Sequence, residues 1–253
     1  MPDRGLVDSL VKRLPDPLAA RIDLRRPSVA KGFTGPMNGQ VHRVAAVTAM
    51  LATVPHDLIV ETGTHRGTST VWFRERSKAP IITIEASGRF ATYSYQRLRT
   101  LPDTRVIHGD SSVWLRRLAK GKKPVTATQP WFYLDAHGGG SLPLRFEMLE
   151  VASCWAQFCA VVDDFQVPDD PGYEYGAYGP GFALTTDVLV GLDLAGTHAF
   201  WPSAKAADDT GHRRGMLVLA RGAAIVEGLR GIGELREDTE LIGRLRAQAP
   251  YQP

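Results

Sequence analysis

Along the middle of the chain, short apolar runs alternate with stretches whose apolar residues recur every three or four positions. The runs at 57–61, 81–85, 104–108, 131–135 and 159–163 read as strands. The stretches at 39–53, 67–76, 88–99, 111–119, 142–156 and 183–191 read as helices. The alternating order of strand and helix predicts parallel strands joined by right-handed crossovers. Two later runs, 197–201 and 215–220, read as an antiparallel hairpin that ends the sheet. The predicted fold is α/β: a Rossmann-like, seven-stranded, mostly parallel sheet with helices on both faces and a C-terminal antiparallel hairpin. A helix around Leu6–Leu14 is expected to stop at Pro15 and Pro17. Residues 27–38 read as a loop, and 223–247 as a helix weakened by Gly228, Gly231 and Gly233.

Composition narrows this picture. A chain of 253 residues, 43% of them hydrophobic, can bury one large core. The reading is an N-terminal extension and lid over 1–38 and one domain over 39–253. The net charge of +3 is mild and the arginines are scattered, which gives nucleic-acid binding no support. Cys154 and Cys159 form no CxxC pair, so free thiols in a reducing compartment are expected rather than a zinc or disulfide scaffold. No leader-like or membrane-length apolar run is present, which points to a cytoplasmic protein without stable membrane insertion.

The segment Glu61-Thr-Gly-Thr-His-Arg-Gly-Thr68 carries the first chemistry. A strand, a glycine-bearing turn and a helix start bring a nucleotide-like ligand close to backbone N–H groups. Gly63 permits a tight turn, and Gly67 permits close helix packing or ligand approach. Glu61 is placed to accept from a cationic amino group, directly or through water. Glu85, at the end of the second strand, suits a pair of ribose hydroxyls. Asp110 can cap the following helix, hold an adenine amino group, or do both, and Ser111 can cap the same helix. The spacing is not the GxGxxG of dinucleotide enzymes.

The second chemistry lies at the ends of later strands, in Asp135 and the pair Asp163-Asp164. Three carboxylates at one sheet edge repel unless they are neutralised. A hard divalent cation would supply the charge, and salt bridges to arginines are the plain alternative. His137 is the first candidate for a general base, with an aspartate of the cluster as its rival.

This pattern resembles the class I S-adenosylmethionine-dependent methyltransferases over roughly residues 40–220. The resemblance implies that Glu61, Gly63 and Gly67 meet the methionine part of S-adenosylmethionine, Glu85 its ribose, and Asp110 and Ser111 its adenine. Leu134-Asp135-Ala-His137 and Val162-Asp163-Asp164-Phe165 are similar to metal-dependent sugar and natural-product O-methyltransferases and to cephalosporin-hydroxylase-like proteins. That implies Mg2+ or a similar divalent cation on Asp135, Asp163 and Asp164, with catalysis by His137, Asp135 and Asp163. The implied acceptor is a small glycoside or sugar, or another vicinal diol, and the implied assembly is a homodimer. The final Asp-Asp pair and the following His137-Gly-Gly-Gly140 depart from the catechol-type pattern.

The loop 168–181, with Tyr173, Tyr175 and Tyr178, reads as a substrate lid. Gln40 and Arg43 are either ligand contacts or ordinary solvent-facing residues. An NAD-dependent oxidoreductase and a catalytically silent nucleotide-binding regulatory protein remain the rival functions.

Overall fold

A computed structural model of the chain describes residues 9–11, 13–26, 35–121, 125, 127–138 and 140–248. Ten strands appear in chain order: β1 (Leu58–Thr62), β2 (Ile81–Glu85), β3 (Thr104–His108), β4 (Pro130–Leu134), β5 (Phe158–Asp163), β6 (Ala177–Gly179), β7 (Phe182–Ala183), β8 (Thr197–Pro202), β9 (Met216–Arg221) and β10 (Leu235–Asp238). Eight of them form one sheet in the order β10-β8-β9-β5-β4-β1-β2-β3, while β6 and β7 make a separate hairpin. The joins from β3 through β5 are parallel, and those from β5 through β10 are antiparallel. The sheet therefore has eight strands, not the expected seven. The extra member is β10, which pairs with β8 at the edge.

The helices are α1 (Asp16–Leu24), α2 (Val41–Thr53), α3 (Thr68–Arg76), α4 (Gly88–Leu98), α5 (Ser111–Lys120), α6 (Leu144–Cys154), α7 (Ala223–Arg230) and α8 (Leu241–Ala247). Side-chain alternation along each strand feeds two cores. Val60, Phe132, Leu134, Ala160 and Leu217 pack with residues of α5, α6 and α8 on one face. Ile59, Trp131, Tyr133, Val161 and Val218 pack with residues of α2, α3 and α7 on the other. β1, β2, β4 and β5 are buried along their whole length, which explains why their sequences are apolar without a break.

Three local expectations are corrected. Helical residues 9–11 give way to a turn at 13–14 ahead of Pro15, but the prolines at 15 and 17 also open an unexpected helix, α1, since proline is at home in a first turn. The stretch 183–191 contains only a 3-10 turn at Thr186–Leu189. The stretch 223–247 is divided into α7, β10 and α8. The remaining part of the Leu6–Leu14 expectation and most of the 27–38 loop lie outside the described residues. α1 packs along α4, where Arg89 Nε donates to Asp23 at 3.0 Å.

Candidate active site

Strand register puts the chemistry on one rim. Thr62 is level with Ile84 of β2 and with Leu134 of β4, and Leu134 is level with Val162 of β5. Gly63, Glu85, Asp135 and Asp163 therefore emerge side by side at the C-terminal edge. This edge includes the β1–β4 junction where the strand order reverses, the place where open α/β sheets accept ligands. A cleft of about 560 Å³ opens there. Its walls include Gly63, His65, Glu85, Asp110 and Ser111 on one side and Tyr133, Asp135, His137, Asp163 and Asp164 on the other.

The first turn is built by backbone geometry. Gly63 has φ +80°, and a Cβ there would lie 2.2 Å from the carbonyl oxygen of Asp135. Only glycine lets the turn pass so close to the β4 loop. Glu85 accepts from the N–H of His65 at 2.6 Å and from the N–H of Ser87 at 2.8 Å, one on each oxygen. A second lone pair on each oxygen is left for ligand hydroxyls. Asp110 caps α5 through the N–H of Val113 at 3.1 Å, so its capping role is real and its place in the cleft wall is retained as well. Burial holds the His65 imidazole down to about 4, so the ring is neutral near pH 7.

Glu61 differs from its expected place. It does not line the cleft. It is fully buried and accepts from Ser69, Thr70 and Thr83, the last at 2.6 Å. Burial raises its pKa despite the three hydroxyls. Its role here is to clamp the turn to α3 and β2. Gly67, with φ +72°, lies against Leu98 of α4 and opens α3, and it too is absent from the cleft wall.

The acidic side is a network. Asp163 pairs with the buried guanidinium of Arg43, accepts from the Tyr133 hydroxyl at 2.5 Å and accepts from the N–H of Asp164 at 2.7 Å. Burial alone would raise its pKa, but Arg43, Tyr133, His137 and that N–H together hold it below the usual carboxylate range. Asp135 carries the opposite shift. Burial, reinforced by the charge of Asp163, lifts it to about 7. Asp164 is lifted to about 6 for the same two reasons. It sits at φ +51°, and Asn38 donates to it at 3.3 Å.

His137 Nε2 lies 3.1 Å from Asp135 and 3.9 Å from Asp164. Burial would lower the imidazole, but the three aspartates outweigh it and raise it to about 9. Nδ1 is 2.7 Å from the Tyr178 hydroxyl, while Nε2 completes no hydrogen bond. At neutral pH the ring is charged. A charged ring favours the rival carboxylate over His137 for any base role.

The structure brings Asp135, His137, Asp163 and Asp164 together, as the sequence predicted. It does not arrange them as a cation cage. Among the described residues no group of three or more His, Cys, Asp and Glu side chains is set to hold a metal ion. Asp163 already accepts from Arg43 and the Asp164 N–H on Oδ1 and from Tyr133 on Oδ2, with a buried guanidinium against it, so the donor set is a poor match for the expected divalent cation.

Of the three lid tyrosines, Tyr178 alone reaches His137, from the β6–β7 hairpin. Tyr173 is buried, with its hydroxyl on the carbonyl of Ala204 at 3.1 Å. Gln40 and Arg43 are buried struts rather than ligand contacts. Sequence reasoning missed Tyr133, Asn38 and Glu147. Glu147 of α6 is buried beside His137 with one carboxylate oxygen unpartnered, and burial raises its pKa to about 7.

No family model and no curated protein sequence matches this chain. Solved structures do resemble it. An O-methyltransferase candidate from Klebsiella pneumoniae aligns over 87% of this chain and 96% of its own, with 15% identity and a TM-score of 0.51. MtNAS, solved with MTA and tNA, aligns over 82% of this chain and 70% of its own, with 11% identity and a TM-score of 0.52. At these identities the likeness is one of fold: a class I methyltransferase-like sheet, Rossmann-like in its parallel half, flanked by helices. Among the described residues no helix is long and apolar enough to cross a membrane.

Proposed function

We propose that the chain is an S-adenosylmethionine-dependent O-methyltransferase acting on a hydroxyl of a small, saccharide-containing metabolite. The observation that carries this reading is the single cleft in which Gly63, Glu85, Asp110 and Ser111 face Asp135, His137 and Asp164. Glu85 would hold the ribose, the Gly63 turn the methionine portion, and the Asp110–Ser111 corner the adenine. The sulfonium methyl would then point at the acidic wall.

The acceptor hydroxyl attacks the methyl carbon in line. The O–CH3 bond forms as the S–CH3 bond breaks, and the sulfur leaves as a neutral thioether. Most of the acceleration comes from alignment of the two reactants. The hydroxyl proton passes to Asp135, whose basicity burial has raised. His137, between Asp135 at Nε2 and the Tyr178 hydroxyl at Nδ1, would hold the Asp135 carboxylate in position. Tyr178 supplies an aromatic wall and a hydroxyl at the mouth, which suits a sugar-bearing acceptor. The expected divalent cation has no step in this mechanism, because the donor set does not fit it.

Titration calorimetry with S-adenosylhomocysteine tests the cofactor half. Wild type is expected to bind, and Glu85→Ala to bind at least about tenfold more weakly, a loss of about 1.4 kcal/mol. Equal affinity of the two proteins would contradict the assignment. A panel of glycosides with labelled S-adenosylmethionine tests the acceptor half. The oxidoreductase reading would instead require NAD to bind in this cleft, in the same calorimeter.

A further inference from the structure

Arg43 has a position that the neighbouring sequence does not announce. It lies on α2, yet its side chain is only 3% exposed and that of Asp163 only 5%. Its guanidinium donates to Asp163 and to the carbonyls of Arg214 and Gly215, just before β9. It ties α2 and the segment before β9 to the end of β5. With the Asp164 N–H also on Oδ1 and the Tyr133 hydroxyl on Oδ2, both oxygens of that carboxylate carry a donor, and only Oδ2 keeps a lone pair.

The rest of the rim is balanced in the same way. Asp135 faces His137 at 3.1 Å, and Asp164 faces His137 and Arg214, each at 3.9 Å. Three carboxylates meet three cationic side chains. A Mg2+-like ion demands oxygen ligands at about 2.0–2.1 Å in near-octahedral array. At Asp163 Oδ1 it would have to displace a buried guanidinium, and at Oδ2 it would meet that guanidinium's repulsion at short range.

We infer that Arg43 supplies the positive charge a divalent cation would otherwise bring, so that this rim binds no metal and the chain's methyl transfer runs without one. The second half rests on the methyl-transfer reading above. It also changes the substrate class. Chelation by a metal requires two adjacent acceptor oxygens, whereas a proton transfer to Asp135 requires one. The acceptor is then a single accessible hydroxyl, and a vicinal diol has no special advantage.

The test is a titration with Mn2+, with the free hexaaqua ion followed by electron paramagnetic resonance. It is run with and without S-adenosylhomocysteine, on wild type, Asp135→Asn and Asp163→Asn. Asp135→Asn leaves the Arg43 pair intact and serves where Asp163→Asn does not fold. The expected result is that wild type leaves Mn2+ free. An ion bound equally by all the proteins lies away from this rim and agrees with the inference. One Mn2+ per chain bound by wild type and released by either variant overturns it. A second arm reads Arg43 itself: Arg43→Met should lower the melting temperature by about 10 °C, because the Asp163 charge is left buried and unpaired. Adding Asp163→Leu to Arg43→Met should recover most of that loss. An unchanged melting temperature in Arg43→Met also overturns the inference. Failure to bind S-adenosylhomocysteine would defeat the cofactor reading and leave the Mn2+ result standing, so the two failures are separable.

Discussion

At the scale of single residues, the acidic wall divides its labour by environment. Asp163 is held ionised by Arg43 and Tyr133 and acts as an anchor, while Asp135 is pushed up to about 7 by burial and is poised to take a proton. Asp135→Asn is expected to lower kcat by about 10²–10⁴-fold while leaving S-adenosylhomocysteine affinity within about threefold, since the loss falls on proton transfer. The pH profile of kcat should rise through an apparent pKa near 7, as Asp135 loses its proton. It should fall above about 9, as His137 loses the proton that holds Asp135 in position. A profile that is flat between pH 6 and 10, about one unit beyond each of the two values, would contradict this division. Glu147 carries a separate stability prediction. Its folded pKa of about 7 lies above the ordinary glutamate value of 4.5, so its contribution is fully present below about 4.5 and is lost as pH rises through 7. Glu147→Gln should remove that loss and stabilise the protein at pH 8 relative to wild type, by no more than about 3 kcal/mol. Urea melts at pH 5 and pH 8 read the difference, and an identical pH response in both proteins would rule out the role of Glu147.

At the scale of elements, the turn between β1 and α3 is the part that tolerates least. Gly63→Ala forces a Cβ against the Asp135 carbonyl at a φ of +80°, and should cost at least about 2 kcal/mol and most of the cofactor affinity. Thermal melts and calorimetry check both. The sequence made this element legible because a buried strand followed by two glycines leaves few alternatives. Four of the five parallel strands, β1, β2, β4 and β5, were legible for a related reason: they are buried along their whole length and mostly apolar. β10 was not legible. Leu235-Arg-Glu-Asp238 contains one apolar residue, because an edge strand has only one face to bury, and the glycines around it look like a failing helix. The run 183–191 misled in the opposite direction. Its Val188, Leu189 and Val190 are buried as a helix's would be, yet they belong to a short 3-10 turn whose carbonyls at 188 and 190 are held by Arg145. The lid was legible only in outline, since a run of tyrosines does not say which one turns inward. Tyr178→Phe should weaken the hold on His137 and lower kcat without unfolding the protein, which steady-state kinetics beside a thermal melt would establish.

At the scale of the whole molecule, the sheet converts distance along the chain into proximity at one rim. Gly63, Glu85, Asp135 and Asp163 come from four strands and line one cleft because the β1, β2, β4 and β5 registers are level. That convergence was readable, because each acid follows an apolar run directly. The charge balance was not. Arg43 and Asp163 are separated by 120 positions, and nothing in the helical pattern of α2 marks its arginine as buried. The carboxylates alone suggested a missing cation, and the fold supplies that cation from its own chain. The most direct measurement of the account is a crystal structure with S-adenosylhomocysteine. The account predicts the ribose hydroxyls on Glu85, the homocysteine along the Gly63 turn, and the sulfur facing Asp135 and His137. A ligand bound away from that rim, or a sulfur turned away from the acidic wall, would contradict it.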